Sequence, residues 1–256
     1  MTSEACHSVP TVVPKEYTPK GNYETFAGLK TYITGPSTTN PKIGIIAIYD
    51  IFGISPQTLQ GADLLSSATQ FNDSAVVLVP DFFNGSGVQF DWIPTDTEEK
   101  KLLFGTFMAQ KAGIEKSRAA LLEVVGECKA KLPTVEHWGV YGLCWGGKIA
   151  VFVSGSESPF DASAQAHPAR MDRADAESLT IPHMTLASKD EPVDLVKVYA
   201  DVVRSNGIGG HVETYSTMWH GWMGARADLE GLHSRAEFER GYGELAEFFG
   251  SYLRAT

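Results

Sequence analysis

Two stretches of this chain, Lys42–Tyr49 (KIGIIAIY) and Ser74–Pro80 (SAVVLVP), are rich in Ile and Val and apolar on both faces. A strand without a polar face must be covered on both sides, which is the condition of the central strands of a parallel sheet packed between helices. Val135–Tyr141, Asp161–Ala166, Pro182–Ala187 and His211–Tyr215 are weaker strand candidates, and Tyr23–Ile33 reads as an edge strand. Helix-period segments alternate with them. One starts at Ser55-Pro56, a cap followed by proline at the first helical position, and is expected to run to about Gln70. Others cover Thr95–Met108, Gly113–Leu132, Trp145–Ser154, Val193–Ser205 and His233–Leu253. This alternation predicts a single-domain α/β fold over residues 23–256, with a mostly parallel central sheet and helices on both faces, behind a polar leader over residues 1–22. In such sheets ligands bind at the carboxyl ends of the strands, so the loops there are where chemistry is expected.

A hydrophobic content of 43% over 256 residues supports one sizeable core. The formal charge of −10 gives no electrostatic footprint for nucleic acid and opposes binding to anionic lipid, leaving a small molecule as the expected partner. No window reaches the roughly 18 consecutive apolar residues of a membrane helix, and Met1–Thr18 is polar and unlike a signal peptide. Cys6, Cys128 and Cys144 are too few and too scattered for a disulfide framework or zinc site, which points to a reducing compartment, most simply the cytoplasm. No histidine–carboxylate cluster has metal-ligand spacing, and Gly207-Ile208-Gly209-Gly210 follows a helix rather than a strand, so it reads as a helix end and turn rather than a nucleotide loop. No metal or cofactor is expected; monomer and homodimer are equally compatible with the sequence.

Gly142-Leu143-Cys144-Trp145-Gly146-Gly147 follows a strand candidate and opens a helix, which fits the pattern G-x-nucleophile-x-G with Cys in place of Ser. The glycines are needed for steric reasons, because a side chain two residues to either side of the strained turn would collide with the neighbouring strand or helix. The turn lifts the sulfur above the sheet at a helix N-terminus, where the dipole favours thiolate. It also frees the Trp145 N–H for a developing oxyanion. Read alone, the hexapeptide also fits a glycine-rich turn around a buried thiol.

Asp190, in Ser188-Lys189-Asp190-Glu191-Pro192, lies 46 residues after Cys144 (190 − 144), and His220 lies 30 residues further on (220 − 190). Each interval holds about one αβ unit, so all three side chains are expected at one edge of the sheet. Nucleophile, acid, histidine is the chain order of the elbow-bearing hydrolases. His220 is expected to carry the proton and Asp190 to orient the imidazole. A lone Asp after a strand also serves as a helix cap, and Asp194 is a rival acid.

Together with Asp50-Ile51-Phe52-Gly53 after the first central strand and the His220-Gly221 pair, these motifs resemble the dienelactone hydrolase family, cysteine hydrolases of the α/β-hydrolase fold. Ala166-His167-Pro168 and His220–Arg226 are similar to a fungal branch of that family. The resemblance implies that Asp50, where the family usually has Glu, contacts the resting thiol and helps form thiolate, and that the Ile51 N–H is the second oxyanion donor. The family's bacterial members hold the carboxylate of dienelactone with two arginines. Here residues 84–100 contain no Arg, and Arg226 lies farther past His220 than in the family pattern. His167 is a candidate pocket residue or a structural histidine. Phe52, Trp219 and Trp222 are candidate lining aromatics, Arg226 a candidate cation, and Asp81–Pro94 either part of a lid or a packed surface loop.

The resulting expectation is hydrolysis of a small ester or lactone through a Cys144-His220-Asp190 triad and a thioester acyl-enzyme. Two rival readings stay open: acyl transfer or thioester cleavage at the same site, and an idle ligand-binding or redox-sensing protein.

Overall fold

A computed structural model describes residue 12, residues 16–35 and residues 40–254. Cys6 and most of the expected leader lie outside the described residues. Among the described residues, eight strands form one sheet in the order β1-β2-β4-β3-β5-β6-β7-β8. They are β1 (Asn22–Phe26), β2 (Leu29–Thr34), β3 (Ile43–Ile48), β4 (Ala75–Pro80), β5 (His137–Leu143), β6 (Ala162–Ala166), β7 (His183–Ser188) and β8 (Gly210–Tyr215). From β4 to β8 the strands pair in parallel; β1 and β2 are antiparallel. This is the α/β-hydrolase architecture. The expected edge strand Tyr23–Ile33 is instead a hairpin. Ala27 (φ 48°) and Gly28 (φ 77°) both adopt left-handed backbone, which turns the chain back after Phe26.

The apolar runs behave as their composition requires: every residue of β3 and β4 is buried. Seven α-helices lie among the described residues: α1 (Pro56–Ser66), α2 (Glu98–Gln110), α3 (Ile114–Lys131), α4 (Trp145–Phe152), α5 (Arg173–Glu177), α6 (Val193–Ser205) and α7 (Leu232–Tyr252). The Ser55 hydroxyl caps α1 by accepting the Thr58 N–H at 3.2 Å. α1 stops short of Gln70, because a 3₁₀ turn over Thr69–Phe71 follows Ser66 and Ser67. Leu121, Val124, Val125 and Cys128 form the buried stripe of α3 at helical spacing. The short α5 has no counterpart in the sequence-based expectation.

Strand order places the site. β3 is followed by β4 on one side, and the chain then crosses to β5 on the other. With right-handed crossovers, α1 falls on one face of the sheet and the helices between later strands on the opposite face. The crevice at such a reversal opens beyond the carboxyl ends of the strands that flank it, here β3 and β5. The residues next after those strands include Asp50-Ile51 and Cys144. No helix among the described residues is long and apolar enough to cross a membrane.

Candidate active site

Cys144 follows β5 and caps α4 with φ 52° and ψ −110°, a conformation that non-glycine residues avoid. The glycines around it have no room for a side chain. A Cβ on Gly142 would lie 2.0 Å from the Gly146 carbonyl oxygen, and one on Gly146 would lie 2.3 Å from that of Ile48 in β3. The strained turn is held from outside: the Cys144 N–H donates to the Ala166 carbonyl, and the Cys144 carbonyl accepts the Ala169 N–H, both at 3.1 Å. Trp145 anchors the start of α4. Its ring stacks near Tyr49 and Phe83, and its indole N–H donates to the Ala112 carbonyl at 3.0 Å. The aromatic ring is therefore core, while its backbone N–H sits in the first turn of α4, where no intrahelical acceptor exists.

His220 Nε2 lies 3.1 Å from Cys144 Sγ. The other ring nitrogen, Nδ1, is 2.7 Å from Glu191 Oε1. Asp190 is not the imidazole's partner; its Oδ2 accepts the backbone N–H of His220 at 2.8 Å. Glu191 turns inward from the Ser188–Glu191 turn, and its second oxygen accepts the Ser188 N–H. Asp190, partly exposed, reaches only the main chain of the histidine loop. Asp194, the rival acid, lies in the first turn of α6 and is exposed. The signal for Glu191 was present as an adjacent second carboxylate, since elbow hydrolases use either Asp or Glu. Position after the strand could not rank the two.

Asp50 is buried and both of its oxygens are engaged. Oδ1 accepts the Phe52 N–H at 3.0 Å and Oδ2 the Ala225 N–H at 2.9 Å. Burial pushes its carboxyl up, opposed by those two N–H groups and by the charges of Arg226 and His220. It thus braces the loop after β3 against the loop after His220. Ile51 is in the braced turn, and its carbonyl accepts the Val88 N–H at 2.9 Å. In this conformation the Cys144 thiol is within hydrogen-bonding reach of His220.

The remaining candidates separate into rim and core. Half-buried Phe52 packs 5.0 Å from Phe90, with the buried Arg226 guanidinium 5.0 Å above its ring. Half-buried Trp219 donates its indole N–H to the Arg226 carbonyl at 3.1 Å. Trp222 does not line the site: it stacks on Tyr215 at 4.2 Å, and a Cβ on Gly241 of α7 would lie 2.6 Å from it. His167 is fully buried, with its ring centroid 5.2 Å from that of His220 at an interplanar angle of 75°. The segment Asp81–Pro94 supplies Phe90 to the rim, while Phe83 is core.

His211, Glu213 and Glu244 form the grouping with metal-type donors among the described residues, with ligand atoms within 4.8 Å of one another. They lie on β8 and α7, away from Cys144, and Arg240 already pairs with Glu213 and, at 3.1 Å, with Glu244. A cation side chain therefore occupies that acidic cluster.

The sequence profile of the dienelactone hydrolase family matches residues 29–253. An uncharacterized AIM2 family protein of Schizosaccharomyces pombe is 35% identical over 242 residues, covering 93% of this chain and 94% of the relative. A second AIM2 family protein of the same yeast is 31% identical, covering 87% of each. Among solved structures, a putative dienelactone hydrolase from Klebsiella pneumoniae superposes with a TM-score of 0.65 at 15% identity, over 88% of this chain and 93% of that one. A dienelactone hydrolase-like promiscuous phosphotriesterase from metagenomic libraries superposes at 0.64 and 15% identity, over 92% and 98%. At these identities the structural likeness speaks for the fold.

Proposed function

The chain belongs to the dienelactone hydrolase family, and from that premise we propose that it hydrolyses small esters or lactones with Cys144 as nucleophile, His220 as general base and acid, and Glu191 as the imidazole's partner. The observation that carries the reading is the unbroken path Cys144 Sγ–His220–Glu191, with spacings of 3.1 and 2.7 Å.

The thiol proton passes to His220 Nε2 as sulfur attacks the carbonyl carbon. Glu191, accepting from Nδ1–H, fixes the tautomer and balances the imidazolium. The oxyanion rests on the N–H groups of Ile51, in the turn after the first central strand, and Trp145, the residue after the nucleophile. Asp50 sets the first of these by bracing its turn. Collapse of the tetrahedral adduct expels the alcohol oxygen, which takes the proton from His220, and leaves a thioester on Cys144. Water then attacks the thioester while giving its proton to His220, and the thiol is regenerated with release of the acid.

Thiolate is a better leaving group than alkoxide, so the first adduct tends to revert unless the departing oxygen is stabilised. Strained lactones and enol or aryl esters satisfy that condition. Rapid mixing with 4-nitrophenyl acetate tests the reading. The expected result is a burst of nitrophenolate equal to the enzyme concentration, with an acetyl mass increment on the peptide containing Cys144. Turnover of Cys144→Ala at the wild-type rate would overturn it.

A further inference from the structure

His167 is a buried polar group beside Cys144 and His220 that the proposed chemistry leaves unused. Its side chain is 0% exposed, and both ring nitrogens lack a hydrogen-bond partner among the described residues. An imidazole removed from water without partners is costly to keep. Its backbone is costly as well, with φ 38° in the left-handed region.

Three main-chain hydrogen bonds hold it there. The carbonyl of Ala166 accepts the Cys144 N–H, the N–H of Ala169 donates to the Cys144 carbonyl, and the N–H of His167 itself donates to the Leu186 carbonyl at 2.8 Å. The strained histidine is thus stitched between two bonds to the strained nucleophile, at the carboxyl ends of β6 and β7. Its ring stands edge-to-face with the ring of His220. Burial, then the nearby His220 charge, hold its pKa well below the ordinary histidine range. A neutral imidazole offers one N–H donor and one acceptor nitrogen, which matches a hydroxyl group and leaves a carboxylate with only one donor.

We propose that His167 is a specificity-determining residue that hydrogen-bonds a hydroxyl oxygen on the acyl portion of the substrate, so that the preferred substrates are hydroxylated lactones or esters. This rests on Cys144 as the nucleophile of the proposed reaction. The stitching to Cys144 and the contact with His220 limit the reach of the ring to the first carbons beyond the scissile carbonyl.

The test uses γ-butyrolactone and its α- and β-hydroxy derivatives with wild type, His167→Phe and His167→Gln. Dividing each kcat/KM by the rate of alkaline hydrolysis removes the intrinsic effect of the hydroxyl. The wild type is expected to favour one hydroxylated lactone over the plain one by at least about tenfold, the worth of one well-placed hydrogen bond. His167→Phe should lower both rates and bring the corrected ratio to within about twofold of unity. His167→Gln, which keeps a donor and an acceptor, should recover part of the ratio.

A ratio that is the same in wild type and His167→Phe overturns the proposal, however far both rates fall, because a structural histidine or one holding the hydrolytic water acts on every substrate alike. Where thermal unfolding shows that His167→Phe does not fold, His167→Gln decides: a ratio changed by threefold or more supports the proposal and an unchanged ratio overturns it. Cys144→Ala separates the two levels. Full turnover by that variant refutes the nucleophile itself. Loss of turnover together with an unchanged ratio in the His167 variants refutes only the role of His167.

Discussion

Cys144 and Cys128 are both buried thiols, at 2% and 0% exposure, and sit in opposite surroundings. Cys128 lies within α3 on the face that packs on the core, in regular helix, and burial pushes its thiol up to about 12. Cys144 sits at a strained turn, at the head of a helix, with an imidazole nitrogen 3.1 Å from sulfur. Burial alone makes a thiol inert; a place at a helix N-terminus and an imidazole within reach favour the thiolate, and the proposed role of Cys144 rests on that difference. The comparison also shows where backbone strain is tolerated. The elbow accepts it because Ala166 at the end of β6 and Ala169 just beyond it clamp Cys144, whereas α3 carries none.

Cys144→Ala should lower kcat by about 10⁴-fold or more, since loss of a nucleophile removes the whole triad's contribution. Cys128→Ala should stay within about twofold of wild type. Iodoacetamide at neutral pH sharpens the same contrast, with mass spectrometry expected to find label on Cys144 in the native protein and on Cys128 only after unfolding. Native labelling of Cys128 at a comparable rate would sink the distinction.

A second contrast lies within one dipeptide. Glu191→Gln should reduce kcat about 10³- to 10⁴-fold on 4-nitrophenyl acetate by presenting the imidazole with the wrong partner. Asp190→Asn, which alters only an acceptor for the main chain of His220, should cost about tenfold or less. If Asp190→Asn proves the more damaging, the assignment of Glu191 is wrong.

Histidines offer a comparison read through stability. His183 is buried, with Nδ1 2.8 Å from the Ser163 hydroxyl, and burial pushes it down to about 3. The folded protein keeps it neutral, while the unfolded chain takes up a proton near 6.5. Between those values the unfolded state binds more protons, so stability present above about pH 6.5 is lost as pH falls toward 3. The slope from this one group is about 1.4 kcal/mol per pH unit. Urea unfolding of His183→Asn between pH 6 and 4 should show a flatter dependence than wild type by about that amount. An unchanged slope would show that His183 is not the group responsible.

The smallest effect concerns Cys128 again. Cys128→Ala should destabilise the fold by about 1–2 kcal/mol through lost packing, with activity retained. A larger loss accompanied by falling activity would mean that α3 supports the site more directly than its place in the core suggests.

Much of the fold was legible because its signals are local. The runs KIGIIAIY and SAVVLVP have no polar face and had to be central strands. The Ser55-Pro56 cap marked the start of α1, and the glycines around Cys144 marked the elbow. The hairpin at Ala27-Gly28 was missed because an Ala in left-handed backbone leaves no compositional mark. The choice between Asp190 and Glu191 was missed for a related reason: neighbouring side chains in a turn point in different directions, and only the position of His220 decides which is useful.

The strand–helix alternation, the glycine elbow around Cys144 and the order of Cys144, the acid turn and His220 are all legible in the chain, because composition, pattern and order along the sequence suffice to reveal them. Tertiary structure alone decided that Glu191 carries the imidazole, that Asp50 braces two loops, that Trp222 is core, and that His167 stands buried beside His220. Those roles depend on the distance and direction between side chains carried by different loops and helices, which the order of strands in the sheet brings together.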